Sequence, residues 1–241
     1  MLEAGLWGLG AASALVIGAL IGLSAKVPRQ LVALAMAFGT GALISALAFD
    51  LTEDAFAHGG TLPVAGGLAA GALVFFAGDQ VIHRRGGGRR GKRAAKAGDN
   101  GLAIVLGALL DGIPESVVLG TTLLGGGGVG VPFLAAVFIS NVPEALSAAA
   151  DLRREGHQPM WIMGLWVGVA VVSGLAAAFG YALLGGMGES AIPLIQSFAA
   201  GAILTMLADT MIPEAYADGG DWTGLATVFG FATAFLLSTV S

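Results

Sequence analysis

The sequence predicts an all-α membrane protein, a polytopic bundle of eight transmembrane helices, on three observations. Its 241 residues are 56% hydrophobic and only 11% charged, far more apolar than an ordinary soluble domain. Apolar runs able to cross about 30 Å of hydrocarbon, which takes roughly 20 residues each, recur between short polar or Gly/Pro-marked breaks. Every Lys and Arg falls in loops that an eight-span chain places on one side. Transmembrane strands would alternate polar and apolar residues over short segments, whereas Ala, Leu and Gly run on continuously here.

The first run, Leu6 to Leu23, has no basic residue before it and no clear small-residue cleavage site after it, so it is expected to remain as a helix at about 4–25. Further spans are expected at about 31–52, 61–82, 100–124, 130–150, 159–185, 191–213 and 222–240. Lys26 and Arg29 lie in the first loop, Arg84, Arg85, Arg89, Arg90, Lys92, Arg93 and Lys96 in the third, and Arg153 and Arg154 in the fifth. These are all 11 basic residues, and every one sits in an odd-numbered loop. The positive-inside rule then makes those loops cytoplasmic and puts both termini outside, in what reads as a bacterial cytoplasmic membrane. The third loop, 83–99, is too polar and Gly-rich to pack a core. It is expected to anchor topology at anionic lipid head groups rather than to bind nucleic acid. Cysteine is absent, which excludes disulfides, thiolate metal sites and cysteine nucleophiles.

Phe38 to Gly60, FGTGALISALAFDLTEDAFAHGG, aligns without gaps on Phe198 to Gly220, FAAGAILTMLADTMIPEAYADGG. Phe38/Phe198, Gly41/Gly201, Ala42/Ala202, Leu47/Leu207 and Ala55/Ala215 are identical, and the same offset of 160 pairs Ser13 with Ser173. Spans 1–3 (about 4–82) therefore duplicate spans 6–8 (about 159–240) in opposite orientation, with spans 4 and 5 (100–150) as a central pair. This is a single transmembrane domain on a three-two-three plan with an inverted repeat, a design that places a transport site near the midplane.

An ionisable side chain inside a bilayer costs at least about 2.5 kcal/mol, so each one points to function. Asp111 and Glu115 lie four residues apart on span 4, which stacks both carboxylates on one helical face. Ser140 and Glu144 repeat that spacing on span 5, with Asn141 beside them. Like-charged carboxylates repel unless a proton or cation sits between them, and adding Glu144 makes a site most readily neutralised by a divalent cation. Pro114 and Pro143 lack the amide hydrogens that would bond the Leu110 and Ile139 carbonyls, freeing two oxygens at the same depth. Asp50, Glu53 and Asp54 on span 2, with Asp209 and Glu214 on span 7, form a second acidic group able to line an entrance and exit. Asp50 and Asp209 lie deeper than the rest.

At these residues the sequence resembles the Zrt/Irt-like protein (ZIP) family of metal transporters, whose fourth and fifth helices carry motifs of the type HNxPEG and [HQ][ND]xPEG. Asp111-Gly112-Ile113-Pro114-Glu115-Ser116 and Ser140-Asn141-Val142-Pro143-Glu144-Ala145 hold those places, and Met211-Ile-Pro-Glu-Ala215 is similar to the family's seventh helix. The resemblance implies divalent metal transport through a binuclear site, with Glu115 and Glu144 bridging and Asn141 a second-site ligand. The metal, Zn, Mn, Fe or Cd, would be cargo, and no cofactor is implied. Asp111 stands where the family usually has His, Ser140 where it has His or Gln, Gly112 replaces Asn, and Gly164 to Gly185 contains no acid. The three histidines, His58, His83 and His157, lie at or near helix ends. The expected site is all-oxygen, with less preference for zinc over harder cations and one good position instead of two.

Two other readings compete. An intramembrane aspartyl protease would nominate Asp111 and Asp209, but Gly107-Ala-Leu-Leu-Asp111 is not the GxGD pattern of such proteases, and the chain is not expected to be an enzyme. A sensor or scaffold of the same fold would keep the helices and do without transport. The 40 glycines and abundant Ala suit close helix packing, within one bundle or between two protomers of a homodimer. Orientation is directly testable. A cysteine introduced at Gly88 is expected to label with an impermeant maleimide only from the cytoplasmic side, and one at Gly127 only from outside.

Overall fold

The computed structural model describes residues 1–82, 100–123, 130–187 and 191–240. The basic segment Arg84 to Lys96, with His83, Gly88 and Gly127, lies outside the described residues. Helix is the only regular structure among them: α1 (Leu2–Ser24), α2 (Arg29–Ala46), α3 (Glu53–Gly59), α4 (Thr61–Ile82), α5 (Asn100–Thr122), α6 (Val131–Arg154), α7 (Pro159–Gly185), α8 (Ile192–Met206), α9 (Ile212–Gly219) and α10 (Thr223–Val240). Six stretches of the described residues are long and apolar enough to cross a membrane: Leu2–Ser24, Arg29–Gly59, Thr61–Val81, Val131–Arg154, Pro159–Ala182 and Ile192–Val240. The protein is thus an α-helical membrane bundle.

Helix ends follow from local chemistry. Pro28 lacks an amide hydrogen and starts α2, while Pro132 and Pro193 occupy the first turns of α6 and α8, where no intrahelical donor is required. Arg153 and Arg154 lie in the last turn of α6, where the helix dipole favours cations. The chain beyond that turn reverses at Gly156, with φ +95. Gly60 (φ +74) and Gly220 (φ +58) end α3 and α9 in the left-handed region that glycine adopts without penalty.

Two helices run on further than their apolar patterns suggested. The segment expected to end at 52 stays helical to Gly59, and the one expected to end at 213 continues to Gly219. No breaker stands between those positions and the glycine pairs. Inside each long helix sits a π-helical turn, Leu47–Thr52 between α2 and α3 and Leu207–Met211 between α8 and α9. The turn solves a register problem. Leu43, Leu47, Leu51 and Ala55 are all buried, as are Ile203, Leu207, Met211 and Ala215. Residues four apart drift roughly 40° around a regular α-helix at each step. One wider turn absorbs that drift and keeps the ridge on the core side.

In lipid the apolar effect does not drive helix against helix, so close packing and small residues must hold them together. The principal contacts pair α1 with α6 and α7, α4 with α8, α10 with α2, α5 with α7, and α2 with α6. At the α2–α10 crossing, a Cβ added to Gly41 would strike the Thr227 carbonyl, and one added to Gly230 the Phe38 carbonyl. At the α4–α8 crossing, a Cβ on Gly201 would strike the Leu68 carbonyl, and one on Gly71 the Phe198 carbonyl. The two crossings are the same contact: 198 − 38 and 201 − 41 give 160, and 227 − 68 and 230 − 71 give 159. On the other side of the bundle, α1 meets α6 where Gly18 and Gly22 face the Val142 and Leu146 carbonyls. Large apolar side chains such as Leu73, Leu175, Phe179, Val228 and Phe229 are exposed, as a lipid-facing surface requires.

Gly71→Val and Gly230→Val are each expected to destabilise the protein by about 1–3 kcal/mol or more, since backbone must move to admit the side chain. Gly10→Val and Gly66→Val, with nothing within 4 Å of the new atom, are expected to be near neutral. Thermal midpoints in detergent, read by size-exclusion of the folded fraction, check the contrast.

Candidate functional site

α5 and α6 each continue as helix through an internal proline, Pro114 and Pro143. Neither proline can donate to the carbonyl four residues earlier, so the Leu110 and Ile139 oxygens are without their usual intrahelical partner. The acidic residues cluster at this level. Glu115 is 3% exposed, with Ser116 buried beside it on α5 and Ser140 and Asn141 buried on α6, while Asp111 and Glu144 are half-buried. The Asn141 side-chain amide donates a hydrogen bond to the Glu115 carboxylate, tying α6 to α5.

Asp111 is the centre of the charge. Its electrostatic neighbours, strongest first, are Glu144, Glu115, Glu214 and Asp79. Four helices therefore contribute, α5, α6, α9 and α4, and among the described residues these charged neighbours are all carboxylates. Such an assembly in a low-dielectric bundle repels itself until a cation or protons enter. The side chains nonetheless stand apart. Among the described residues, no group of three or more His, Asp or Glu side chains could hold a metal ion as placed.

The remaining candidates divide. Glu214 is half-buried and acts on Asp111, so it joins the central group. The Ser140 hydroxyl donates to the Val137 carbonyl at 2.9 Å, and a Cβ on Gly39 would lie 2.6 Å from the Ser140 Cα. Ser140 is thus a contact between α6 and α2 whose oxygen keeps only its lone pairs for other work. Asp50, on the first π turn, accepts a short hydrogen bond from Ser238 of α10, and its second oxygen is buried with no partner. Beside it, Phe49 packs on Phe235 and Phe231, with ring centroids 5.1 and 6.0 Å away. Asp209 is exposed on the second π turn and is not among the groups acting on Asp111. Its expected depth fails to bring it to the centre because the offset of 160 places it where repeat one has Phe49, one residue before the position of Asp50.

Glu53 and Asp54 are exposed on α3. Asp54 accepts from Gln196 at 3.2 Å and pairs with His58 at 3.2 Å, which ties α3 to the start of α8. His157 stacks on Trp161 at 4.6 Å, away from the carboxylates.

Asp79 is the member of the central acidic group that the sequence reading did not nominate. A signal was present, since it is the single acid within the apolar run from Leu62 to Ile82. Its importance comes from α4 approaching α5: a Cβ on Gly78 would lie 3.2 Å from Leu110. Neither known family models nor curated proteins match the chain.

The Asn141–Glu115 bond gives a quantitative expectation. Glu115→Ala and Asn141→Ala are expected to be non-additive, with a coupling of about 2 kcal/mol, as for a buried hydrogen bond to a charged group. A double-mutant cycle of thermal unfolding in detergent measures it.

Proposed function

We propose that the protein carries divalent metal ions across the membrane, in the manner of the ZIP family it resembles. One observation carries the reading: among the described residues, the charged groups acting on Asp111 are the carboxylates Glu144, Glu115, Glu214 and Asp79, drawn from four helices of an apolar bundle. Massed carboxylates are a cation's environment, and their oxygens suit Mn, Fe or Mg as well as Zn or Cd. The ligand set would be Asp111, Glu115 and Glu144, with oxygens from Asn141, Ser140 and the proline-freed carbonyls. Glu214 would continue the path, with Asp50 and Asp209 at its margins.

The proposed architecture is eight spans. Ile192–Val240, 49 residues long, exceeds any single crossing and divides at Gly220, and α5 supplies a span that carries the central acids. The equivalent glycine crossings support a duplication of spans 1–3 as 6–8, and the charge pattern supports its inversion. Odd loops would be cytoplasmic, with the segment 83–99 against anionic head groups. Gly and Ala on the outer faces would suit a homodimer.

A second reading has its own support. Because no metal-holding group is assembled among the described residues, a sensor or scaffold of the same fold that binds metal weakly and moves none is the alternative.

Proteoliposome uptake separates the two. Wild type is expected to accumulate metal, and Glu115→Ala or Glu144→Ala to fall to the background of empty vesicles while remaining folded. Asp111→His is expected to shift competitive uptake of zinc over manganese toward zinc, since imidazole prefers borderline metals. No uptake by wild type would leave the sensor reading, and an unchanged ratio in active Asp111→His would remove Asp111 from the ligands.

A further inference from the structure

The Asp50–Ser238 bond has a counterpart written into the other repeat. The long helices superpose at offset 160, and the helices that cross them at offset 159, as the four glycine contacts establish. Carried to the polar pair, 50 + 160 gives 210 and 79 + 159 gives 238. Thr210 thus holds the place of Asp50, on the second π turn, and Asp79 holds the place of Ser238, on α4. From crossing to polar residue the distances in sequence are identical: Phe38 to Asp50 and Phe198 to Thr210, Gly230 to Ser238 and Gly71 to Asp79. Each pair joins one hydroxyl to one carboxylate, but the carboxylate is on the long helix in one repeat and on the crossing helix in the other. Neither arrangement opposes two charges, so each can close as a charge-assisted hydrogen bond. In this structure the first pair is closed, and Thr210 makes no side-chain hydrogen bond among the described residues.

We propose that Asp50–Ser238 and Thr210–Asp79 are alternating latches, one closed in each of two conformations that the repeats exchange. The inference rests on the inverted-repeat reading above, in which each half takes up the conformation of the other. It assigns Asp79 a second duty beside Asp111: as α4 closes on the second π turn, that carboxylate turns to Thr210 and leaves the central group. Asp50 then opens toward the bundle, released from α10. The two latches place one acid at a time among the central carboxylates.

Native cysteine is absent, so the test needs no background removed. Asp50→Cys with Ser238→Cys, Asp79→Cys with Thr210→Cys, and the four substitutions together are made in membranes without added metal. A short bismethanethiosulfonate collects whichever conformation is visited, and peptide mass spectrometry identifies the crosslinks. Both pairs are expected to crosslink, with the 50/238 pair also reporting that each four-cysteine molecule has folded. Molecules holding both crosslinks are expected to be several-fold rarer than the product of the two separate yields. Crosslinking at 50/238 with none at 79/210 would overturn the proposal, as would both crosslinks closing freely in one molecule. The readout requires no transport, so a chain that moves no metal still decides the latches, and uptake decides the transport reading separately.

Discussion

At the crossings of this bundle backbone meets backbone where a glycine removes the side chain, and the rest of the architecture depends on that contact. Lipid offers no reward for hiding apolar surface between helices, so the gain must come from dispersion over many short distances. Gly41 and Gly230 bring α2 and α10 together, and Gly201 and Gly71 do the same for α8 and α4. Two equivalent crossings result, and at the first of them Ser238 donates to Asp50 on the π-helical segment. On the other side, Gly18 and Gly22 bring α1 against the carbonyls of α6, fixing the helix that carries Asn141 and Glu144. The helices that carry the acidic centre are held largely by contacts between small residues and backbone.

That division explains the site's composition. Glu115 is buried and tied to Asn141, so its position is set by the fold. Asp111 and Glu144 are half-buried and interact electrostatically. For the transport proposed above, carboxylates that are not drawn together into one metal-holding group among the described residues suit an ion that must be taken up and given away. Strong, fully assembled coordination would retain it.

Much of this could be read from residues in order. Apolar length placed helix along the chain, with two helices running on past their expected ends at 52 and 213, and the four-residue spacing picked out Asp111 and Glu115, which interact electrostatically with each other and with Glu144. What escaped was whatever depended on a neighbouring helix. Asp79 is unremarkable along α4 and gains its meaning because Gly78 lets α4 reach Leu110. Asp50 reads as a path-lining acid until Ser238, 188 residues away in sequence, is seen to hold it. Asp209 reads as deep because of its distance from the helix ends. Its exposure follows from rotation around the axis, which an unseen π turn had changed.

The π turns also show where structural information resides. Leu47-Ala48-Phe49-Asp50-Leu51-Thr52 and Leu207-Ala208-Asp209-Thr210-Met211 share only their leading Leu-Ala, yet both segments widen in the same way. No local residue type can be the common instruction. What the two share is a meter: four buried positions, each four apart, beginning before the turn and ending after it. A helix obliged to keep that beat on one wall has to gain a residue somewhere along it. The defect is therefore encoded by spacing, and the residues within it are released to carry a phenyl ring in one copy and a carboxylate in the other.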